Sequence, residues 1–310
     1  MSRPCLVLAA AFALGIPAKT AFAASAAGMI AAQVELKAAV PGGGGRTWAD
    51  LAALVFPGVK SELEIRRAAA AADPAKTFAE PVYLPERRIA DAIAPLRPLA
   101  ARFKIPEKLP ARYFLDGVKF VRVTGDGKPM LAALFGGQKG ESVAALALFE
   151  AGPQGRLLDL VQVRSDDSTT LMQRPLLALG PMATAFVLVN SHDSHTVAYE
   201  EDTLVRVQGG RFAEIGGFSL NQSHIDGDSD LKQTAVMRAL PGAHTAHARI
   251  EVTVTTTTRD QPEVSAPRRR KPTVTITTAR GVWRWNAAAQ TYEAQPSALG
   301  KLGDWSEGND

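Results

Sequence analysis

The chain has 310 residues and five histidines, and all five histidines fall between positions 192 and 247. Two stretches there gather side chains that could do chemistry: Ser191-His192-Asp193-Ser194-His195, and Ser223-His224-Ile225-Asp226-Gly227-Asp228-Ser229-Asp230. If these were neighbouring loops, His192, His195 and His224 would offer three imidazoles and Asp226 or Asp228 an oxygen, a donor set that suits zinc. Asp226, Asp228 and Asp230 also fall at the alternate positions that open a calcium-binding EF-hand loop. That loop needs glycine where Leu231 stands and glutamate where Met237 stands. The plainer reading makes all of these ordinary turn residues whose side chains bond nearby backbone. The plainer reading is preferred and no cofactor is expected; zinc, which requires the two loops to converge, and calcium on the aspartate run are the alternatives.

Other catalytic patterns are thinner. A serine hydrolase built on Ser191 or Ser194 lacks the strained strand-to-helix elbow that exposes such a nucleophile. Ser229-Asp230-Leu231-Lys232 matches S-x-x-K without the S-D-N and K-T-G companions that give it meaning. No H-E-x-x-H, no G-x-S-x-G and no dinucleotide-binding G-x-G-x-x-G occurs. Gly42 to Gly45 precede a helix, but Arg46-Thr47 stand where a phosphate loop needs Lys-Ser/Thr, and a flexible connector is the better reading. His244 and His247, near Gly242, read as surface loop residues. Trp283 and Trp285 sit two apart on a strand and so share one face. That pair could stack a carbohydrate ligand, although burial in a core is the commoner fate of tryptophan.

The elements that would position these residues are mostly strands. Short apolar segments from Leu157 to Phe218 alternate with polar or Gly/Pro punctuation, and Gln208-Gly209-Gly210-Arg211 has the positive-φ residues a tight hairpin needs. Upstream, Tyr113 to Leu115, Val118 to Val123, Met130 to Phe135 and Val143 to Phe149 are separated by glycine-rich turns such as Gly125-Asp126-Gly127-Lys128-Pro129. Thr124 to Pro129 faintly resembles the calcium loops of integrin-type propeller repeats but lacks their further carboxylates, and it reads as a turn. Downstream, Ile250, Val252 and Val254 alternate with polar residues, as does Val274 to Thr277, and these two threonine-rich strands should pair. The loop joining them, Arg259 to Pro272, is acidic and then basic, and reads as a solvated excursion. Gly281 to Asn286 and Thr291 to Glu293 form a last hairpin around Ala287 to Gln290.

The fold class is thus mainly β, α+β overall: an antiparallel β-sandwich or open barrel of hairpins preceded by a small helical N-terminal region. The division is a signal peptide at 1–23, a helical and loop region at 24–111, an antiparallel β domain at 112–298 and a flexible tail at 299–310. Within 24–111, helices are expected from Ala26 to Val40, from Trp48 to Val55 behind a Thr47 cap with Asp50 three residues on, and from Glu86 to Phe103 despite Pro95 and Pro98.

Function is bounded from the N-terminus and by charge. Arg3, an apolar run from Leu6 to Ile16 and Ala21-Phe22-Ala23 have the order of a cleaved secretory signal. The run is shorter than the roughly 20 residues a spanning helix needs, so no transmembrane segment is expected in the mature chain. Cys5 is the only cysteine and lies in the leader, which leaves the mature chain without a disulfide or thiol nucleophile. The formal charge of +4 includes Arg3 and Lys19, so the mature excess is too small to attract nucleic acid. These features lead to a periplasmic or secreted β-rich protein that binds a small ligand or an envelope component. A metal-dependent hydrolase using the His/Asp cluster is the alternative.

Overall fold

The computed structural model describes residues 34–56, 59, 82–85, 96–105, 112–115, 117–136, 143–164, 168–171, 176–193, 197–226, 229–240, 247–260 and 273–294. The leader, the tail, most of the 259–272 loop, and Ser194, His195, Asp228 and His244 lie outside them.

Thr47 starts the one described helix, α1 (Trp48–Val55), through a reciprocal cap: its hydroxyl accepts from the Asp50 N–H while the Asp50 carboxylate accepts from the Thr47 N–H. Trp48, Leu51, Ala52 and Val55 form its buried stripe. Residues 34–40 are not helical as expected. Their backbone is used in bridges Val34–Val118 and Ala39–Thr47, and Trp48 N–H donates to Ala38 O at 3.0 Å. Positive φ at Gly42, Gly44 and Gly45 lets the chain double back for this, so the glycine run is a reversal.

The strands follow: β1 (Val82–Pro85), β2 (Arg97–Pro98), β3 (Arg112–Leu115), β4 (Val118–Gly125), β5 (Lys128–Gly136), β6 (Ala144–Glu150) and β7 (Leu157–Gln162). β1 pairs with β3, and a five-stranded sheet runs β2-β7-β6-β5-β4. Residues 97–103 thus hold a short parallel strand and turns where a helix was expected; Pro98 cannot supply an interior helical N–H. β5 and β6 are buried on both faces, which explains their nearly continuous apolar runs. Leu131, Ala133, Phe135, Ala145, Ala147 and Phe149 pack under α1. Met130, Ala132, Leu134, Ala144, Leu146 and Leu148 face the second sheet.

That sheet comprises β8 (Ser168–Leu171), β9 (Leu177–Gly180), β10 (Ala183–Asp193), β11 (Val197–Gln208), β12 (Arg211–Asp226), β13 (Ser229–Ala239), β14 (Ile250–Asp260), β15 (Thr273–Asn286) and β16 (Thr291–Ala294). Its order is β16-β15-β14-β13-β12-β11-β10-β8, with β9 also on β10. β10 to β16 therefore follow one another as hairpins. The β11–β12 turn has Gly209 and Gly210 at φ +58 and +72, and Gln208 pairs with Arg211 as expected of a two-residue hairpin. One face of this sheet, with Phe186, Leu188, Val205 and Phe212, covers the five-stranded sheet.

β12 and β13 pair only through His224–Leu231, Ile225–Asp230 and Asp226–Ser229. Beyond that joint they diverge. The β13–β16 ribbon can then fold over the sheet's other face, enclosing a third core of Val187, Leu204, Ile215, Met237, Val252 and Trp283 among others. Ala248 N–H closes this layer on β9 by donating to Leu179 O at 2.6 Å. The sheet curls without closing, so among the described residues the fold is a β-rich, sandwich-like assembly of mainly antiparallel sheets with one short helix and no closed barrel.

Candidate functional site

β10 continues through Ser191, His192 and Asp193, and β12 through His224 and Asp226, so these residues lie on strand ends rather than in loops. Val197 is the Cα partner of His224 and Tyr199 that of His192, which puts both stretches at the same end of the sheet, two strands apart. Because positions two apart on a strand share a face, 192 and 224 fall on one face. His192 stacks on Tyr199, with ring centres 5.1 Å apart at 21°. Ser191 Oγ is 2.5 Å from Ser168 Oγ. Among the described residues, no three histidine, cysteine or acidic side chains are gathered as a metal cage. Ser229 and Lys232, three apart on β13, fall on opposite faces of a strand, an arrangement that does not bring the ends of an S-x-x-K motif together.

Trp283 and Trp285 share a face as expected, and both rings are covered. Trp283 is 5% exposed, meets Phe218 edge-on at 5.5 Å and lies over Gly216, where a Cβ would come within 3.1 Å of the ring. Trp285 is half-buried, with the Arg206 guanidinium carbon 4.3 Å from its ring centre and the His247 ring 4.1 Å away at 11°. Arg206 Nη1 and His247 Nδ1 are 3.3 Å apart, too close for groups on opposite faces of the indole, so both cover the same face. A guanidinium only donates; Nδ1 must accept, and the imidazole is neutral with its proton on Nε2. Arg206 also donates to Gln208 and Gln290. His247, read from sequence as a surface residue, is thus part of a stack.

The electrostatics follow from burial. Arg206 is 5% exposed, and burial lowers its pKa, opposed by Tyr292 and by Asp126, whose carboxylate accepts from Gly209 N–H at 2.8 Å. Burial, and then the Arg206 charge, lowers that of His247. Burial raises the Tyr292 phenol to about 12, with Arg206 opposing. The Tyr292 hydroxyl donates to Ala248 O at 2.8 Å. These groups clamp the ends of β11, β15 and β16 together.

An open region lies at the other end of the ribbon. Register sets three rows across the outer face of β13, β14 and β15: Lys232-Thr257-Ile276, Thr234-Thr255-Thr278 and Val236-Thr253-Arg280. Five threonines fill the middle of this array, and two cations and two aliphatics hold its corners. Val236 is 61% and Ile276 66% exposed, and Val274, next along the same face, is 51% exposed. Acidic groups stand opposite the neighbouring cations: Asp230 opposite Arg259, Glu251 bonded to Arg238 at 2.8 Å, and Glu293 opposite Arg284. β16 covers β15 only from Trp283 to Asn286. Among the described residues, Thr273 to Val282 has β14 on one side and no strand on the other. The signal for this in the sequence is a strand, Thr273 to Ala279, that lacks any large residue on the face shared by the core positions of β14.

Comparison of the chain with family models, with curated proteins and with solved structures finds no match in any of the three.

Proposed function

We propose that this chain is an exported binding protein, periplasmic or secreted, whose β-rich body engages an envelope component or small ligand without covalent chemistry. One observation carries the reading: Val274 and Ile276, each more than half exposed, follow one another on the outer face of β15, with Lys232 at the far end of the row of Ile276 and Arg280 further along the strand. Exposed apolar side chains standing side by side and flanked by charge are the kind of surface that marks an interaction site. Export is supported by the composition of residues 1–23. The test is fractionation of the host with N-terminal sequencing, followed by sedimentation with washed envelopes. A chain beginning after Ala23 that sediments with envelopes, and ceases to do so when Val274→Asp and Ile276→Asp are combined without change in circular dichroism, is the expected result. Retention of residues 1–23 in the cytoplasm, or sedimentation unaffected by the double variant, overturns it.

A second reading, a metal-dependent hydrolase, is favoured by the register that brings positions 192 and 224 onto one face, with Asp226 further along β12. Stoichiometric zinc in purified mature protein that is lost on combining His192→Ala and His224→Ala would support it. Zinc content that is unchanged by that pair removes it.

A further inference from the structure

We infer that the open edge of β15, from Thr273 to Val282, receives an extended acidic segment of a partner protein as an added antiparallel strand. The inference rests on the binding reading above and names the partner's chemistry. An edge strand presents a row of backbone donors and acceptors, and protein edges are ordinarily blunted by lysine, proline, a bulge or a cover. From Thr273 to Ala279 the sequence Thr-Val-Thr-Ile-Thr-Thr-Ala has none of these residues and is rich in the β-branched types that pair well. All of Thr273 to Thr278 is exposed. Strand addition uses such an edge for affinity and alternate side chains for selection.

The selecting side chains are on the outer face. β15 carries Arg280 and Arg284 and no carboxylate along its 14 residues. Arg284 already faces Glu293 across β16. Arg280 has Thr253 as its β14 neighbour, and the side away from β14 is open among the described residues. Opposite charges in directly facing positions stabilise a strand pair and like charges oppose it. An incoming antiparallel strand is therefore selected for an acidic residue opposite Arg280, followed at every second position by β-branched residues opposite Thr278, Ile276 and Val274.

The test uses the full mature chain and two labelled, end-capped peptides, Glu-Thr-Val-Thr-Val-Thr-Val and Lys-Thr-Val-Thr-Val-Thr-Val, titrated by fluorescence anisotropy. The acidic peptide should bind roughly fivefold more tightly than the basic one, and Arg280→Glu should reverse the preference while leaving circular dichroism and melting unchanged. Hydrogen exchange should show protection confined to β15 amides on adding the acidic peptide. Equal binding of both peptides, or a preference indifferent to Arg280→Glu, overturns the inference. So does a dimer in the ultracentrifuge that dissociates on Ile276→Lys, which would give the edge to a second copy. Binding that appears only after deletion of residues 295–310 also overturns it, by giving the edge to this chain's own C-terminal residues. If neither peptide binds a chain that fractionation finds exported, this inference alone fails. A chain found in the cytoplasm removes the export reading whatever the peptides do.

Discussion

The guanidinium of Arg206 lies 4.3 Å above the ring of Trp285, so a buried cation on β11 is held by an aromatic face on β15. Desolvating an arginine is costly unless its donors and charge are met; here His247, Gln208 and Gln290 accept from the two Nη groups and the indole supplies the quadrupole, while the buried Nε has no acceptor among the described residues. In a double-mutant cycle of Arg206→Met and Trp285→Leu, urea unfolding should give a coupling of about 1 kcal/mol. Strict additivity would show that the two merely adjoin.

His247 makes stability depend on acidity. Its folded pKa is lowered, so the unfolded chain binds a proton more readily; this contribution is complete above the ordinary histidine value of 6.5 and is lost as pH falls through the lower folded value. The melting temperature should drop from pH 7.5 to 5, and His247→Gln should flatten that part of the profile. An unaltered slope in the variant would assign the acid sensitivity elsewhere.

Tyr292 acts at the other end of the scale. Its phenol is raised to about 12 in the fold against an ordinary 10.0, so the folded state favours the protonated form; the contribution is complete below pH 10 and declines as pH rises towards 12. Absorbance at 295 nm should show a late tyrosinate step, absent in Tyr292→Phe, and that variant should lose the associated alkaline destabilisation. A titration curve identical in both proteins would contradict this.

Asp159 on β7 ties the two large sheets. Its carboxylate accepts from Arg97 Nη2 at 2.6 Å and from Phe212 N–H on β12 at 2.8 Å, and Arg97 donates onward to Phe212 O at 3.1 Å. Asp159→Ala leaves a backbone donor and a guanidinium unmet and should cost about 2–3 kcal/mol in urea unfolding. Arg97→Ala leaves the Asp159 carboxylate, 8% exposed, with the Phe212 N–H as donor and opens it to water along the path of the lost 37%-exposed guanidinium, so it should cost less, about 1 kcal/mol. The reverse ranking would show that the carboxylate is not the joint.

What the sequence disclosed was local. The capping box at Thr47 and Asp50, the glycine hairpin at Gly209-Gly210 and the alternation of Ile250, Val252 and Val254 each declare their geometry within a few residues, and each occurs as read. What it concealed depends on remote partners. Glu200 to Thr203 look like a break between two strands, yet β11 runs through them because Arg102, distant in sequence, bonds Glu201 at 2.6 Å and Thr203 at 2.8 Å. His247 is surrounded by loop residues in the chain and meets Trp285 only once β14 and β15 have paired. Positions 192 and 224 lie at the same end of the sheet, two strands apart, because strands reach further towards the hairpin tips than Ser, His and Asp suggest by propensity.

The three residue pairs that join β12 to β13 are a slender seam between two halves of one sheet. On the far side of it, β13, β14 and β15 are tied to each other by long ladders, β16 adds a short one, and the group meets the remaining strands chiefly by side-chain packing. With so narrow a joint, the amides of β13 to β15 should exchange with solvent together and at a lower free energy than those of β5 and β6, as hydrogen exchange would show for a leaf hinged on a persistent body.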